Sequence, residues 1–204
     1  MLYAIKKIII KKIRLMKFKK SYLTKKIVIS ILLLGIICAG FGHYYYFQNN
    51  ALKIVDFNAL RDTPFILERF QHDWYWLTAD DSFSPQNMLE SQSSSKKHPH
   101  NKDLFIKMAY KGNKPVGFVI YYQKRFYLGH IRFIDLDPEF RSQGWAAKLL
   151  DYAVKDLIKR GVTKITLLTR TNNYPAQKLY TRYGFKETRR DDNFVDYEYL
   201  VPQV

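Results

Sequence analysis

Cysteine is almost missing from this chain: Cys38 is the single one among 204 residues. No intramolecular disulfide can form, and the part after residue 50, which has none, offers neither a thiol nucleophile nor a thiolate zinc site. Acidic residues are missing from the first 55 positions, where Lys6, Lys7, Lys11, Lys12, Arg14, Lys17, Lys19, Lys20, Lys25 and Lys26 all lie. Without these ten cations the 34 basic residues fall to 24 against 18 acidic ones, so residues 51–204 hold only about +6 of the formal +16. Charge of either sign is missing from residues 27–47. At about 1.5 Å per helical residue that stretch reaches roughly 31 Å, close to the hydrocarbon thickness of a bilayer. Tyr44, Tyr45 and Tyr46 at its far end suit the membrane interface.

These gaps predict a basic tail (1–26), a transmembrane helix (27–47) and one further domain (51–204), the length being too small for two. The alternative for the apolar stretch is a secretory signal cleaved near Ala39 and Gly40, against which the 26-residue basic region is long. Ile37, where a small residue is expected before Cys38, argues against a lipoprotein signal. No repeats occur. His98 and His100 stand in the polar run 91–101, which reads as a loop rather than a metal site.

Within the third part, alternation suggests a first strand at 52–58. Thr63 and Pro64 look like the N-cap and first residue of a helix carrying Phe65, Leu67, Phe70 and Trp74, and Ser84-Pro85 repeats the signal for a short helix to about residue 90. Runs 104–110 and 116–122 flank Lys111-Gly112-Asn113-Lys114-Pro115 as an antiparallel hairpin, and a third strand follows at 130–136. A helix carrying Ala147, Leu149, Leu150, Ala153, Val154, Leu157 and Ile158 leads through Gly161 to a strand at 164–169, which must return parallel after the crossover. A helix at 175–183 and strands at 185–189 and 194–201 close the chain. The expected class is α+β: a mixed, mostly antiparallel sheet of six to seven strands flanked by helices, with one parallel pair that splays apart.

The polar loop between strand 130–136 and its helix opens that helix with small residues. The free N–H groups of Gln143, Gly144, Trp145 and Ala146 converge there at the positive end of the helix dipole, an arrangement suited to a pyrophosphate. Arg141-x-x-Gly144-x-Ala146 resembles the R/Q-x-x-G-x-G/A acyl-CoA loop of the GNAT N-acetyltransferase family. The β-run 164–169, then Asn173-x-x-Ala176-x-x-x-Tyr180, then Tyr183-Gly184-Phe185 follow in that family's order, over roughly residues 103–200.

The resemblance implies acetyl-CoA as co-substrate, no metal, and a primary amine as acceptor, with the pantetheine arm between the splayed strands. It implies cofactor contacts at Leu136, Arg141, Ser142, Gln143, Gly144, Trp145, Ala146 and Asn173. The Leu136 N–H would stabilise the oxyanion and the Arg141 side chain would meet a phosphate. Tyr180 would protonate or hydrogen-bond the departing thiolate; its alternative is a buried structural tyrosine. For the base, the histone-acetylating branch has a glutamate eleven residues before its loop motif, and that position here is His130. Histidine titrates near neutrality and can serve; the alternative is a strand-end histidine with water as base. Asp135 competes, facing the opposite side from His130 unless a bulge changes the phase. Trp74, Tyr75 and Trp76 either line the acceptor pocket, as the family's first helices do, or belong to the core.

The leading expectation is a membrane-anchored N-acetyltransferase for a small-molecule or protein amine. The alternative is a non-catalytic acyl-CoA-binding or interaction module tethered to a membrane. The tail's lysines, interleaved with Ile8, Ile9, Ile10, Ile13, Leu15 and Phe18, favour anionic lipid over nucleic acid as partner. The charge asymmetry across 27–47 puts the N-terminus in the cytoplasm and the domain across the membrane, yet acetyl-CoA is normally cytosolic. Import of acetyl-CoA, failure of the charge rule, or action in another cell's membrane would each reconcile the two.

Overall fold

A computed structural model describes residues 51–78, 82–93 and 104–202, together with Ile37 and Gly40. The chain divides into two units, 1–50 and 51–204. In the first, Ile37 and Gly40 are helical. The basic tail and the rest of the expected span at 27–47 lie outside the described residues, as does most of the polar run at 91–101. Among the described residues no helix is long and apolar enough to cross a membrane.

The second unit is built on a seven-stranded sheet: β1 (Leu52–Asp56), β2 (Phe105–Lys111), β3 (Lys114–Arg125), β4 (Leu128–Leu136), β5 (Lys164–Arg170), β6 (Lys186–Arg190) and β7 (Phe194–Leu200), in the order β1-β2-β3-β4-β5-β7-β6. Every neighbouring pair is antiparallel except β4 and β5. The β2–β3 turn is tighter than the expected five residues: Lys111 pairs with Lys114 across Gly112 and Asn113.

Helix α1 (Ala59–Leu77) begins five residues before the expected start. Asn58 is its N-cap, accepting from the Arg61 N–H at 3.1 Å, and Pro64 lies inside the helix. The N–H that proline lacks would have met Leu60, which stands almost fully in solvent, so the lost bond falls on the wet side. The second helix, α2 (Pro85–Ser93), starts as expected, with the Ser84 hydroxyl accepting from the Asn87 N–H, and runs on to Ser93. These two helices cover one face of the sheet: Ile66, Phe70, Met88 and Leu89 pack on Met108, Phe118, Ile120 and Phe133.

Helices α3 (Trp145–Lys159) and α4 (Tyr174–Tyr183) cover the other face. Leu149, Leu150, Ala153, Val154 and Leu157 meet Val119, Tyr121, Ile131, Ile165 and Leu167 there. The apolar stripe read from the sequence is the buried one, and each fully buried leucine contributes about 2 kcal/mol. The Tyr183 hydroxyl donates to Asp151 at 3.0 Å and ties α4 to α3.

Candidate active site

The loop that precedes α3 combines a 3₁₀ turn at Pro138–Phe140 with two left-handed residues, Ser142 (φ 61°) and Gly144 (φ 80°). Arg141 N–H closes the 3₁₀ turn on Pro138, and the next intrahelical bond is Lys148 N–H to Gly144. Between them, the N–H groups of Ser142, Gln143, Gly144, Trp145 and Ala146 have no partner among the described residues. A side chain added at Gly144 would point into open space. A helix N-terminus with unpartnered donors and room in front of it fits an anion such as a pyrophosphate. Trp145, unusually large for such a loop, turns inward: it is buried and stacked on Phe140 at 5.2 Å, under the Lys111 ammonium.

Strands β4 and β5 pair only from Leu128↔Lys164 to Ile131↔Leu167. Beyond that, β4 stays with β3 and β5 with β7, so the parallel pair splays as expected and a gap opens at its C-terminal ends. A β-bulge lies at the start of the gap: adjacent Ile120 and Tyr121 pair with Phe133 and Ile131, leaving Arg132 as the extra residue. The bulge shifts the phase of the strand. Ile131 faces α3, whereas Phe133 and Asp135 face α1, the same side as His130. Both base candidates therefore share a face.

On that face lies a cleft of about 240 Å³ bounded by His130, Arg132 and Phe133 of β4, the residues 168–170 of β5, the end of α1, Phe83 and Phe194. The His130 ring is half-buried, with Nδ1 at 2.9 Å from the Thr166 hydroxyl. That hydroxyl donates its own hydrogen to the Gly129 carbonyl at 3.3 Å, so Nδ1 carries the proton and Nε2 keeps its lone pair. Burial, helped by the Lys124 and Arg132 charges, pushes the imidazole down to about 4, which keeps it neutral at pH 7. Of the three aromatics expected here, Trp76 lines the cleft, Trp74 packs on Phe83 at 6.4 Å, and Tyr75 lies under the Arg170 guanidinium at 4.3 Å.

Asp135 is a partner in an ion-pair cluster. Its carboxylate meets Arg69 Nε at 2.9 Å and Arg141 Nη2 at 3.3 Å, while Asp73 holds the same Arg141 nitrogen at 2.7 Å and also pairs with Arg69. Burial pushes its carboxyl up, against the pull of the two arginines and the Leu136 N–H. Asp73 sits at a kink in α1 (φ −112°, ψ 24°). The cluster also engages two groups expected at the cofactor. The Arg141 guanidinium, expected at a phosphate, meets Asp73 and Asp135 through Nη2 and the Leu136 carbonyl through Nε at 2.9 Å, with its side chain 43% exposed. The Leu136 N–H, expected at the oxyanion, lies beside the Asp135 carboxylate. Nothing in the spacing of Arg69 and Asp73 announced them as the holders of this loop.

Tyr180 lies on the other face, buried against Phe185 at 6.1 Å and Tyr197 at 5.8 Å. Burial raises its phenol further above its ordinary range, so it stays a protonated donor. Asn173 is the N-cap of α4, accepting from Ala176 N–H at 3.3 Å, and α4 is thereby started beside the end of β5. The anion loop and Tyr180 stand on the α3–α4 face, and His130 stands on the α1–α2 face. The splayed gap separates them. Among the described residues no cluster of three or more His, Cys, Asp or Glu side chains could hold a metal ion.

The model of the "Acetyltransferase (GNAT) family" matches residues 65–185. A [ribosomal protein bS18]-alanine N-acetyltransferase of Haemophilus ducreyi is 39% identical over 59 residues, which are 29% of this chain and 41% of that protein. The chain thus matches well under half the length of this curated relative. Among solved structures, Ard1 from Thermoplasma volcanium superposes with a TM-score of 0.60 at 18% identity, over 75% of this chain and 99% of that one. The PaiA N-acetyltransferase from Thermoplasma acidophilum, solved in complex with coenzyme A, gives 0.59 at 18%, over 74% and 99%. At these identities the structures establish a common fold.

Proposed function

We propose that this chain, which belongs to the acetyltransferase (GNAT) family, transfers an acetyl group from acetyl-CoA to the primary amine of a small-molecule or protein acceptor. The observation that carries this is the row of unpartnered N–H groups at Ser142 to Ala146, opening in front of Gly144 beside a splayed strand pair. Acetyl-CoA, when bound, supplies a thioester whose acetyl group passes to the amine, the amine giving up one proton and CoA leaving as the thiol. The residues Ser142, Gln143, Gly144, Trp145 and Ala146 would hold its pyrophosphate through their backbone, and Asn173 would border the arm while capping α4. The Leu136 N–H can serve the thioester oxygen only by turning from Asp135, and Arg141 contributes by gripping the loop through the Leu136 carbonyl.

The acceptor would enter from the α1–α2 face. There His130 offers the Nε2 lone pair to the amine or to an intervening water, and the low basicity of a neutral, half-buried imidazole suits holding a proton briefly rather than storing it. Tyr180 would give a hydrogen bond to the sulfur from the opposite face. The relatives' acceptor, a ribosomal-protein alanine, supports a peptide α-amine as one acceptor class. Residues 27–47 would anchor the chain in a membrane and the tail would lie on anionic lipid; the support is the length of the charge-free stretch and the ten cations before it.

Isothermal titration of the full-length chain with acetyl-CoA tests the reading. Wild type should bind, and Gly144→Glu, which places a carboxylate where the anion belongs and strains a left-handed residue, should weaken binding more than about tenfold. Undiminished affinity in the variant would remove the loop from the site.

A further inference from the structure

We propose that the amine accepted in this cleft carries a carboxylate near its nitrogen, and that Arg132, backed by Arg170, recognises it. The inference rests on the acetyltransferase reading and names its acceptor class.

The cleft is bounded by two guanidiniums and an imidazole, and among the described residues no aspartate or glutamate lines it. Elsewhere on this face, arginines are neutralised: Arg69 and Arg141 share Asp73 and Asp135. Arg132 is not. Among the described residues it makes no ion pair and donates no hydrogen bond; its guanidinium lies over the rings of Phe83 at 4.9 Å and Phe133 at 5.2 Å. Those rings orient the planar fork without cancelling its charge, and they leave its N–H groups open to a carboxylate, the geometry that arginine binds with two parallel bonds. Its place on the bulge explains why it reaches the cleft although its neighbour Phe133 faces the same way.

Arg170 acts differently. Its Nε donates to the Tyr75 carbonyl and its Nη2 to the Thr78 carbonyl, each at 2.9 Å, so it fastens the end of α1 while its charge, among the described residues, meets no carboxylate. Among the described lining residues, the charges that a bare ammonium entering here meets are both positive. An amine with a carboxylate beside it brings its own counter-charge, and the same cations then favour the neutral, nucleophilic form of the amine. That lessens the demand on a base, which agrees with a cleft in which His130 is the one titratable acceptor among the described lining residues. A volume of about 240 Å³ accommodates one amino-acid-sized group. The carboxylate can come from a free amino acid or from an acidic side chain following a peptide N-terminus.

The test measures thiol release by the full-length chain with acetyl-CoA and matched acceptors: alanine against alaninamide, and the C-terminally amidated peptides Ala-Glu, Ala-Gln and Ala-Lys. Where release is undetectable, calorimetry of the same compounds on the CoA-loaded chain reads the same preference. The acidic member should lead by about tenfold or more in kcat/KM or affinity, and the pair that shows it identifies the source. Arg132→Gln should bring the ratio to within about twofold while acetyl-CoA affinity is kept, and Arg132→Lys should restore part of it. Equal use of acids and amides, preference for Ala-Lys, or a preference that survives Arg132→Gln overturns the proposal. Failure to bind CoA at all would instead remove the acetyltransferase reading, which the calorimetry detects separately.

Discussion

The most quantitative handle on this site is the proton affinity of His130. Its imidazole sits at about 4 in the fold, pushed down by burial first and then by Lys124 and Arg132, against an ordinary value of 6.5 in the unfolded chain. Between these values the unfolded state binds the proton and the folded state does not, so stability is fully present above pH 6.5 and is lost progressively as the pH falls toward 4. For this one group the loss between pH 7 and pH 4.5 is about 2.5 kcal/mol. Urea unfolding of wild type and His130→Gln across that range isolates it: the wild type should lose about that much more than the variant, whose side chain does not titrate. In parallel, the ring resonances of His130 should remain those of a neutral imidazole down to pH 5. Titration near 6.5, or equal acid sensitivity in the two proteins, would refute the burial argument and with it the neutral Nε2 acceptor.

Tyr180→Phe should lower the rate of acetyl transfer by about 100-fold or more while acetyl-CoA affinity is kept, because the hydroxyl is assigned to charge that develops only at the transition state. An unchanged turnover number where chemistry limits the rate would return Tyr180 to the core. Gly117→Ala should destabilise the domain by about 2 kcal/mol, read as a lower Tm, because the added Cβ would stand 2.4 Å from Leu136 Cδ2 and 2.5 Å from the Asp135 carbonyl. A Tm within a degree of wild type would mean that β3 and β4 can part without cost. Extraction of membranes with alkaline carbonate should leave the full-length chain in the pellet; its release intact would remove the anchor, and a chain starting near residue 40 would select a cleaved signal.

Much of the fold was legible because it follows from periodicity and punctuation. The α3 stripe, the crossover that forces β5 parallel to β4, and the Ser84-Pro85 start of α2 all read directly from residue spacing. The start of α1 did not. Thr63-Pro64 carries the stronger local signal, yet Asn58 won, since Asp62 accepts from the Asn58 N–H at 2.7 Å and from the Tyr110 hydroxyl of β2, a reciprocal cap held by a residue 48 positions away. In the site, the loop donors were legible because they are backbone groups set by one glycine and one helix start. Arg69, Asp73, Arg132 and Arg170 were not: their roles depend on partners 66, 68 or 92 residues distant or on a bulge. Regular alternation puts Asp135 opposite His130 unless a bulge changes the phase, and no residue of β4 marks locally where that bulge lies.

That bulge decides which changes of length β4 can absorb. Deleting Arg132 would restore regular alternation and leave each residue after it on its present side, Asp135 beside Arg69 and Leu136 in the apolar layer under α3; flattening the bulge with Arg132 retained would instead exchange the two. A residue inserted between Phe133 and Leu136 would be felt as an exchange of polar and apolar positions over the rest of the strand, whereas a change of length in the surface turn at Phe126 and Tyr127 exchanges nothing beyond the turn. In a lineage of such chains, length variation should accumulate at the hairpin tip and, within β4, be confined to the bulge residue.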